Sequence, residues 1–197
     1  MQSLNRILIK ELSFSSNNNF YERVNEVIFN KKEKKYSHKI NGRWENQYVD
    51  IFHLPDVKKI LSIACKEGEK LINQSLVVPY KELGFPKNEF WFNLTAPGES
   101  TGWHDHKEMA VLSGVFYLKI PKKSGDIVFR EKRKNDWFEW SIKSSIGKMI
   151  LFNSSLEHSV SKNNSNDIRI SLAFNLYTLP VILDKEVEEY SSNKFYS

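Results

Sequence analysis

Cysteine is nearly missing from this chain of 197 residues. The lone Cys65 excludes an intramolecular disulfide and any Cys-x-x-Cys zinc motif. Long apolar runs are missing too. No stretch approaches the ~20 residues of a membrane-spanning helix, and Met1 to Phe14 lacks the apolar core of a secretory signal. A cytoplasmic, reduced compartment is therefore expected. There is no internal repeat, low-complexity block or linker-like segment, so residues 1–197 are expected to form a single domain. That length can bury a core without covalent staples.

What is present is basic: the formal net charge is +5 and the isoelectric point is near 9.1. Lysines are spread along the chain, with denser runs at Lys31 to Lys35 (broken by Glu33) and Arg130-Glu131-Lys132-Arg133-Lys134. Charge balance of this kind bears on solubility and non-specific attraction more than on fold. Both runs read as a solvated helix end or a hairpin turn. No dedicated base-reading element accompanies them, so a nucleic-acid partner is not expected.

Periodicity divides the chain. Phe20, Val24, Val27 and Ile28 recur at helical spacing and predict an amphipathic helix over residues 18–32. A polar, aromatic-dotted stretch from Tyr36 to Tyr48 follows, with Asn41-Gly42 as its expected turn. Pro55 opens a stronger helix, in which Val57, Ile60, Leu61, Ala64, Leu71 and Ile72 form one stripe with Cys65 beside it as a small buried hydrophobe. After Pro86 the pattern becomes short β-rich runs: 89–95, 111–120, 127–130, 137–142, 148–152 and 168–178. Pro97-Gly98, Ser124-Gly125, Gly147 and Asn163-Asn164 separate them. Repeated short strands with turn signals indicate a sandwich or jelly roll braced by an N-terminal helical layer, not a parallel α/β sheet.

Histidine is scarce, five in all, and three of them belong to one ordered pattern. His104 and His106 flank Asp105; in an extended segment both imidazoles point to the same face and can converge on one ion. His158 lies 52 residues later, past the turn Asn153-Ser154-Ser155, where a jelly roll can return a third ligand to the pair. Arg169 and Ser171 follow on a strand whose apolar face is Ile168, Ile170, Leu172 and Phe174. If the other face looks into the barrel, Arg169 needs a carboxylate partner held by its planar fork. A bound dicarboxylate supplies one.

Taken in order, the pieces His104-Asp105-His106, Leu112 to Leu118, Gly125 to Phe129, Leu151 to Val160 and Arg169 to Asn175 resemble the iron(II)- and 2-oxoglutarate-dependent oxygenases. More narrowly, they resemble a microbial and phage branch of that superfamily. The resemblance covers roughly residues 85 to 180. It implies a mainly β fold, a double-stranded β-helix or cupin-like jelly roll over residues 86–180. Residues 1–85 would be a helical support layer and residues 181–197 a polar C-terminal tail. It also implies iron(II) held by His104, His106 and His158, with 2-oxoglutarate as co-substrate and O2 consumed. Arg169, Ser171 and Tyr117 would hold the distal carboxylate of 2-oxoglutarate, with Asn93 facing the other end of that molecule. The reaction would hydroxylate an unidentified substrate with release of succinate and CO2.

The superfamily's usual ligand set is two histidines and a carboxylate at H-x-D/E spacing. His106 stands where the acid would follow His104, whereas His106-Lys107-Glu108 has the required spacing. Two sets therefore stand side by side: three histidines, or His106, Glu108 and His158. With three histidines, Asp105 becomes an acceptor for a ring N–H. Trp103, Trp137, Phe138 and Trp140 are candidates for the substrate entrance. Two rival functions fit part of the pattern. One is a non-catalytic jelly-roll binding module, phage structural or carbohydrate-binding. The other is a cupin-type metal enzyme without 2-oxoglutarate, which leaves Arg169 and Ser171 without a role.

Overall fold

The computed structural model describes residues 7–12, 19–29, 35–36, 39–40, 43–44, 46–48, 51–106, 110–134 and 136–181. Asn41-Gly42, Glu108 and nearly all of the C-terminal stretch 181–197 lie outside the described residues. Strand β1 (Leu8–Glu11) precedes helix α1 (Asn19–Phe29). Four short strands follow: β2 (Lys35–Tyr36), β3 (Lys39–Ile40), β4 (Arg43–Trp44) and β5 (Asn46–Tyr48). Helix α2 (Asp56–Ile72) starts at Pro55 as expected and ends where Asn73 turns left-handed. Then come β6 (Leu76–Val77), β7 (Phe90–Thr95), β8 (Thr101–His104) and β9 (Leu112–Lys119). The chain continues through β10 (Ile127–Arg133), β11 (Asp136–Ile142), β12 (Lys148–Asn153), β13 (Glu157–Val160) and β14 (Arg169–Thr178).

Two curled antiparallel sheets make the jelly roll. The larger runs β1-β12-β9-β14-β7-β5-β2, with β6 beside β14; the smaller runs β11-β10-β13-β8. Residues 1–85 therefore contribute strands to the large sheet as well as two helices. Those strands are two to four residues long, too short to show an alternation in the sequence.

Side-chain parity decides what each face does, because successive residues of a strand point to opposite sides. On β9, Phe116 and Leu118 join the core beneath the helices, whereas Val115 and Tyr117 join the core between the sheets. On β12, Met149 and Leu151 go outward to the helices, Ile150 and Phe152 inward. On β14, Ile170, Leu172, Phe174 and Leu176 face the helices. Both faces of β9 and β14 are buried for this reason: helices cover one and the smaller sheet covers the other.

The helices bring complementary stripes. Phe20, Val24 and Ile28 of α1 are buried, as are Val57, Ile60, Leu61, Ala64 and Gly68 of α2. Gly68 allows α2 to lie close on the sheet, since a Cβ there would sit 2.7 Å from Leu76 and 3.2 Å from Leu112. Cys65 is half-buried against the same core, and burial pushes its thiol up. Removing the helical stripe from water is the main source of this layer's stability, at about 25 cal/mol per Å².

Candidate metal and co-substrate site

In the smaller sheet β13 pairs with β8, which sets His158 directly opposite His104. His106 lies two residues beyond β8, where its main-chain N–H donates to Ser154 O at 2.8 Å. One nitrogen from each of the three imidazoles lies within 4.8 Å of the others. Ring centroids are 4.2 Å apart for His104 and His158, 5.3 Å for His104 and His106, and 5.4 Å for His106 and His158. Among the described residues this is the group able to hold a metal ion.

Local hydrogen bonds orient two of the rings. His104 Nδ1 is 2.9 Å from Gly102 O, and His158 Nδ1 is 2.9 Å from Leu156 O. A main-chain carbonyl can only accept, so each Nδ1 carries the proton and each Nε2 keeps its lone pair. These carbonyls serve both rings where the sequence suggested Asp105, which acts on His104 through its charge. Phe152 packs on His158 at 4.7 Å and Phe129 at 6.2 Å, while Trp91 lies 6.0 Å from His106. This surrounding disfavours the imidazolium. Burial lowers the pKa of His104, pulls His106 down to about 3, and holds His158 well below the ordinary histidine value. All three are neutral at pH 7, the form that binds a metal.

Deeper in the barrel, Tyr117, Ser171 and Asn93 form one row across β9, β14 and β7. Arg169 starts β14 on the same inward face and is 2% exposed. No acid is paired with it among the described residues, and its Nε has no hydrogen-bond partner. Its guanidinium carbon lies 5.3 Å from the Tyr117 ring. The hydroxyls of Tyr117 and Ser144 are likewise buried without a well-formed hydrogen bond. Burial depresses the guanidinium pKa and raises that of Tyr117, while each partly offsets the other. A buried cation beside orphaned hydroxyls is an anion site by its chemistry. A carboxylate fits it.

Sequence reasoning named the histidines, Arg169, Ser171, Tyr117 and Asn93; the fold sets His104 and His158 on the smaller sheet and the four non-histidine residues on strands of the larger one. It missed Ser144, which sits on the loop between β11 and β12 where no periodicity marks a side chain's direction. It also missed Trp91, although parity with Asn93 on β7 points it inward. The four aromatic candidates divide. Phe138 stacks on Trp140 and Trp140 on Phe129, toward His158. Trp103 and Trp137 instead pack on Arg130, on the opposite face of the smaller sheet, away from the histidines.

Residues 89–175 match the family model described as "Putative 2OG-Fe(II) oxygenase". No curated protein matches the chain. Among solved structures, a non-heme alpha-ketoglutarate-dependent carbocyclase from nogalamycin biosynthesis is similar, with TM-score 0.66 and 12% identity over 95% of this chain and 87% of that one. A prolyl-4-hydroxylase from Pseudomonas putida has TM-score 0.60 and 17% identity, over 89% and 94% of the two chains. An epimerase from nogalamycin biosynthesis, solved with Fe3+ and alpha-ketoglutarate, has TM-score 0.62 and 12% identity over 88% and 79%. At such identities the likeness is one of fold. Family match over residues 89–175, jelly roll, three convergent histidines and a buried arginine agree with one another: this part of the chain is similar to the iron(II)- and 2-oxoglutarate-dependent oxygenases, and its histidine cluster can hold a metal ion.

Proposed function

We propose that the protein hydroxylates a substrate while converting 2-oxoglutarate to succinate and CO2, with His104, His106 and His158 as the iron ligands. Arg169 forks onto the distal carboxylate of 2-oxoglutarate with Ser171 and Tyr117 beside it, and Asn93 faces the iron-side end of that molecule. One observation carries this reading: Arg169 is buried without an acid partner among the described residues, on the sheet that faces the one carrying His104 and His158. A structural arginine so placed would be a net cost to the fold. A co-substrate carboxylate removes that cost and gains two charge-assisted hydrogen bonds.

Each group then has a task its position suits. The Nδ1 bonds of His104 and His158 to main-chain carbonyls hold their rings so that Nε2 of each faces the ion. Phe129, Phe152 and Trp91 exclude water from the ligands' apolar side. Arg169 and Tyr117 fix the far end of the co-substrate, so its keto-acid end is presented to the metal in one orientation. When bound, the iron supplies the oxygen activation that these side chains cannot perform themselves. Because all three ligands are neutral, the charges opposing the metal come from 2-oxoglutarate, and co-substrate and metal should bind cooperatively.

Succinate release tests this. It should require iron(II), O2 and 2-oxoglutarate together and be lost in Arg169→Ala. Turnover that persists in this variant would overturn the role given to the arginine.

A further inference from the structure

Behind the histidines, the outer face of the smaller sheet carries a cluster centred on Arg130. Its Nε and Nη2 donate to the two carboxylate oxygens of Glu157 at 3.0 and 3.3 Å. The same guanidinium carbon lies 4.3 Å from the Trp103 ring centroid and 4.2 Å from that of Trp137. One cation is thus held by a fork and two indole faces, and it touches all four strands of the sheet: Arg130 on β10, Glu157 on β13, Trp103 on β8 and Trp137 on β11.

The partners are immediate chain neighbours of the inward-facing residues. Glu157 precedes His158, Trp103 precedes His104, and Arg130 follows Phe129, which lies directly opposite His158. Parity turns each pair to opposite faces. Strand β8 needs such a tie, being an edge of four residues paired only with β13 among the described residues, through a register shift next to His158. Main-chain bonds at Gly98, Glu99 and His106 hold the two flanks, but between them only two ladder pairings fix β8, and His104 would move with any shift of that strand.

We propose that Arg130 is a positioning residue that sets the separation of His104 and His158 by clamping Trp103 and Glu157 from the back of the sheet. The inference rests on the ligand assignment made above. A partly exposed ion pair adds little to stability, so the clamp's main effect falls on geometry. Arginine suits it because its planar fork meets a carboxylate on its edge while stacking on aromatic rings by its faces. Lysine keeps the charge but has no planar fork.

Anaerobic titration with Co(II), followed by calorimetry and by its visible ligand-field bands, tests the clamp alongside unfolding of the metal-free protein. Arg130→Met keeps the apolar stem and loses the fork. We expect ten-fold or greater loss of Co(II) affinity and shifted bands, on the scale of groups that orient metal ligands. Trp137→Leu removes one indole at a half-exposed position on the edge strand β11 and should lower affinity less, with Arg130→Lys between the two. Should Arg130→Met fail to fold, Trp137→Leu decides the matter. Folded variants with wild-type affinity and bands overturn the proposal, including when only their melting temperature falls. His158→Ala separates the two readings: if it binds Co(II) as well as wild type, the ligand assignment itself is wrong. If His158→Ala abolishes binding while the Arg130 and Trp137 variants bind normally, only the clamp is wrong.

Discussion

Burying a guanidinium on a central strand without an acid beside it costs folding free energy that a ligand can return. Arg169 is in that position, and the two halves of its effect can be separated. Arg169→Met keeps most of the volume and removes the unpaired charge, so the ligand-free protein should melt at the same temperature or higher. The rise in melting temperature on adding 2-oxoglutarate with a metal should vanish. Loss of thermal stability in the ligand-free variant would mean that the arginine is structural. The histidines make a second prediction, with the opposite dependence on ligand. Their folded pKa values lie below the ~6.5 of an unfolded chain, so below that pH the unfolded state binds more protons and stability falls. For each histidine that stays neutral the loss between pH 7 and pH 5 is up to about 2 kcal/mol. Urea unfolding of metal-free protein at the two pH values should show the drop, and His158→Leu should reduce it. A flat profile would show that these rings protonate freely in the folded state.

At the scale of elements, the strands carry the site because they alternate so strictly. Ile170, Leu172 and Phe174 meet the helices, which leaves Arg169 and Ser171 for the interior. That division was legible in the sequence from β14 alone. The spacing of His104 and His106 and the return to His158 were legible for the same reason. Other features were not. The strands of residues 35–48 are too short to alternate, and Ser144 reaches Tyr117 from a loop. Trp103 and Trp137 looked like entrance residues because an aromatic count carries no information on which face each ring takes; parity with His104 and Trp140 turns them outward. Glu108, the alternative ligand, lies outside the described residues. The packing of β9 on β14 offers a prediction at this scale. A Cβ on Gly114 would run into the Phe174 ring and sit 2.7 Å from Leu151 Cδ2. Gly114→Ala should cost about 1–3 kcal/mol in chemical denaturation, as overpacking does. Tolerance without loss would mean that these strands do not approach so closely.

For the whole molecule, the jelly roll is a frame that aligns a metal end and an anion end inside one barrel, with the helices packed outside. Ligands that bind only this frame stabilise it by mass action, about 2.7 kcal/mol at a hundred-fold excess over Kd. Metal and 2-oxoglutarate together should therefore raise the melting temperature by more than the sum of their separate effects. A merely additive shift would deny the cooperativity expected of neutral ligands.

Strand β1 is a minor element by size, four residues laid along Lys148–Leu151 of β12. Its removal would strip the cover from the outermost ladder of the large sheet and leave a row of unsatisfied N–H and C=O groups. Bare edges of this kind recruit other strands. A version of the protein beginning at Asn19 should keep its three histidines and its co-substrate pocket, yet self-associate edge to edge. Sedimentation that becomes concentration-dependent only after this truncation would reveal it. The practical lesson concerns trimming: a segment remote from all chemistry guards the solubility of the enzyme.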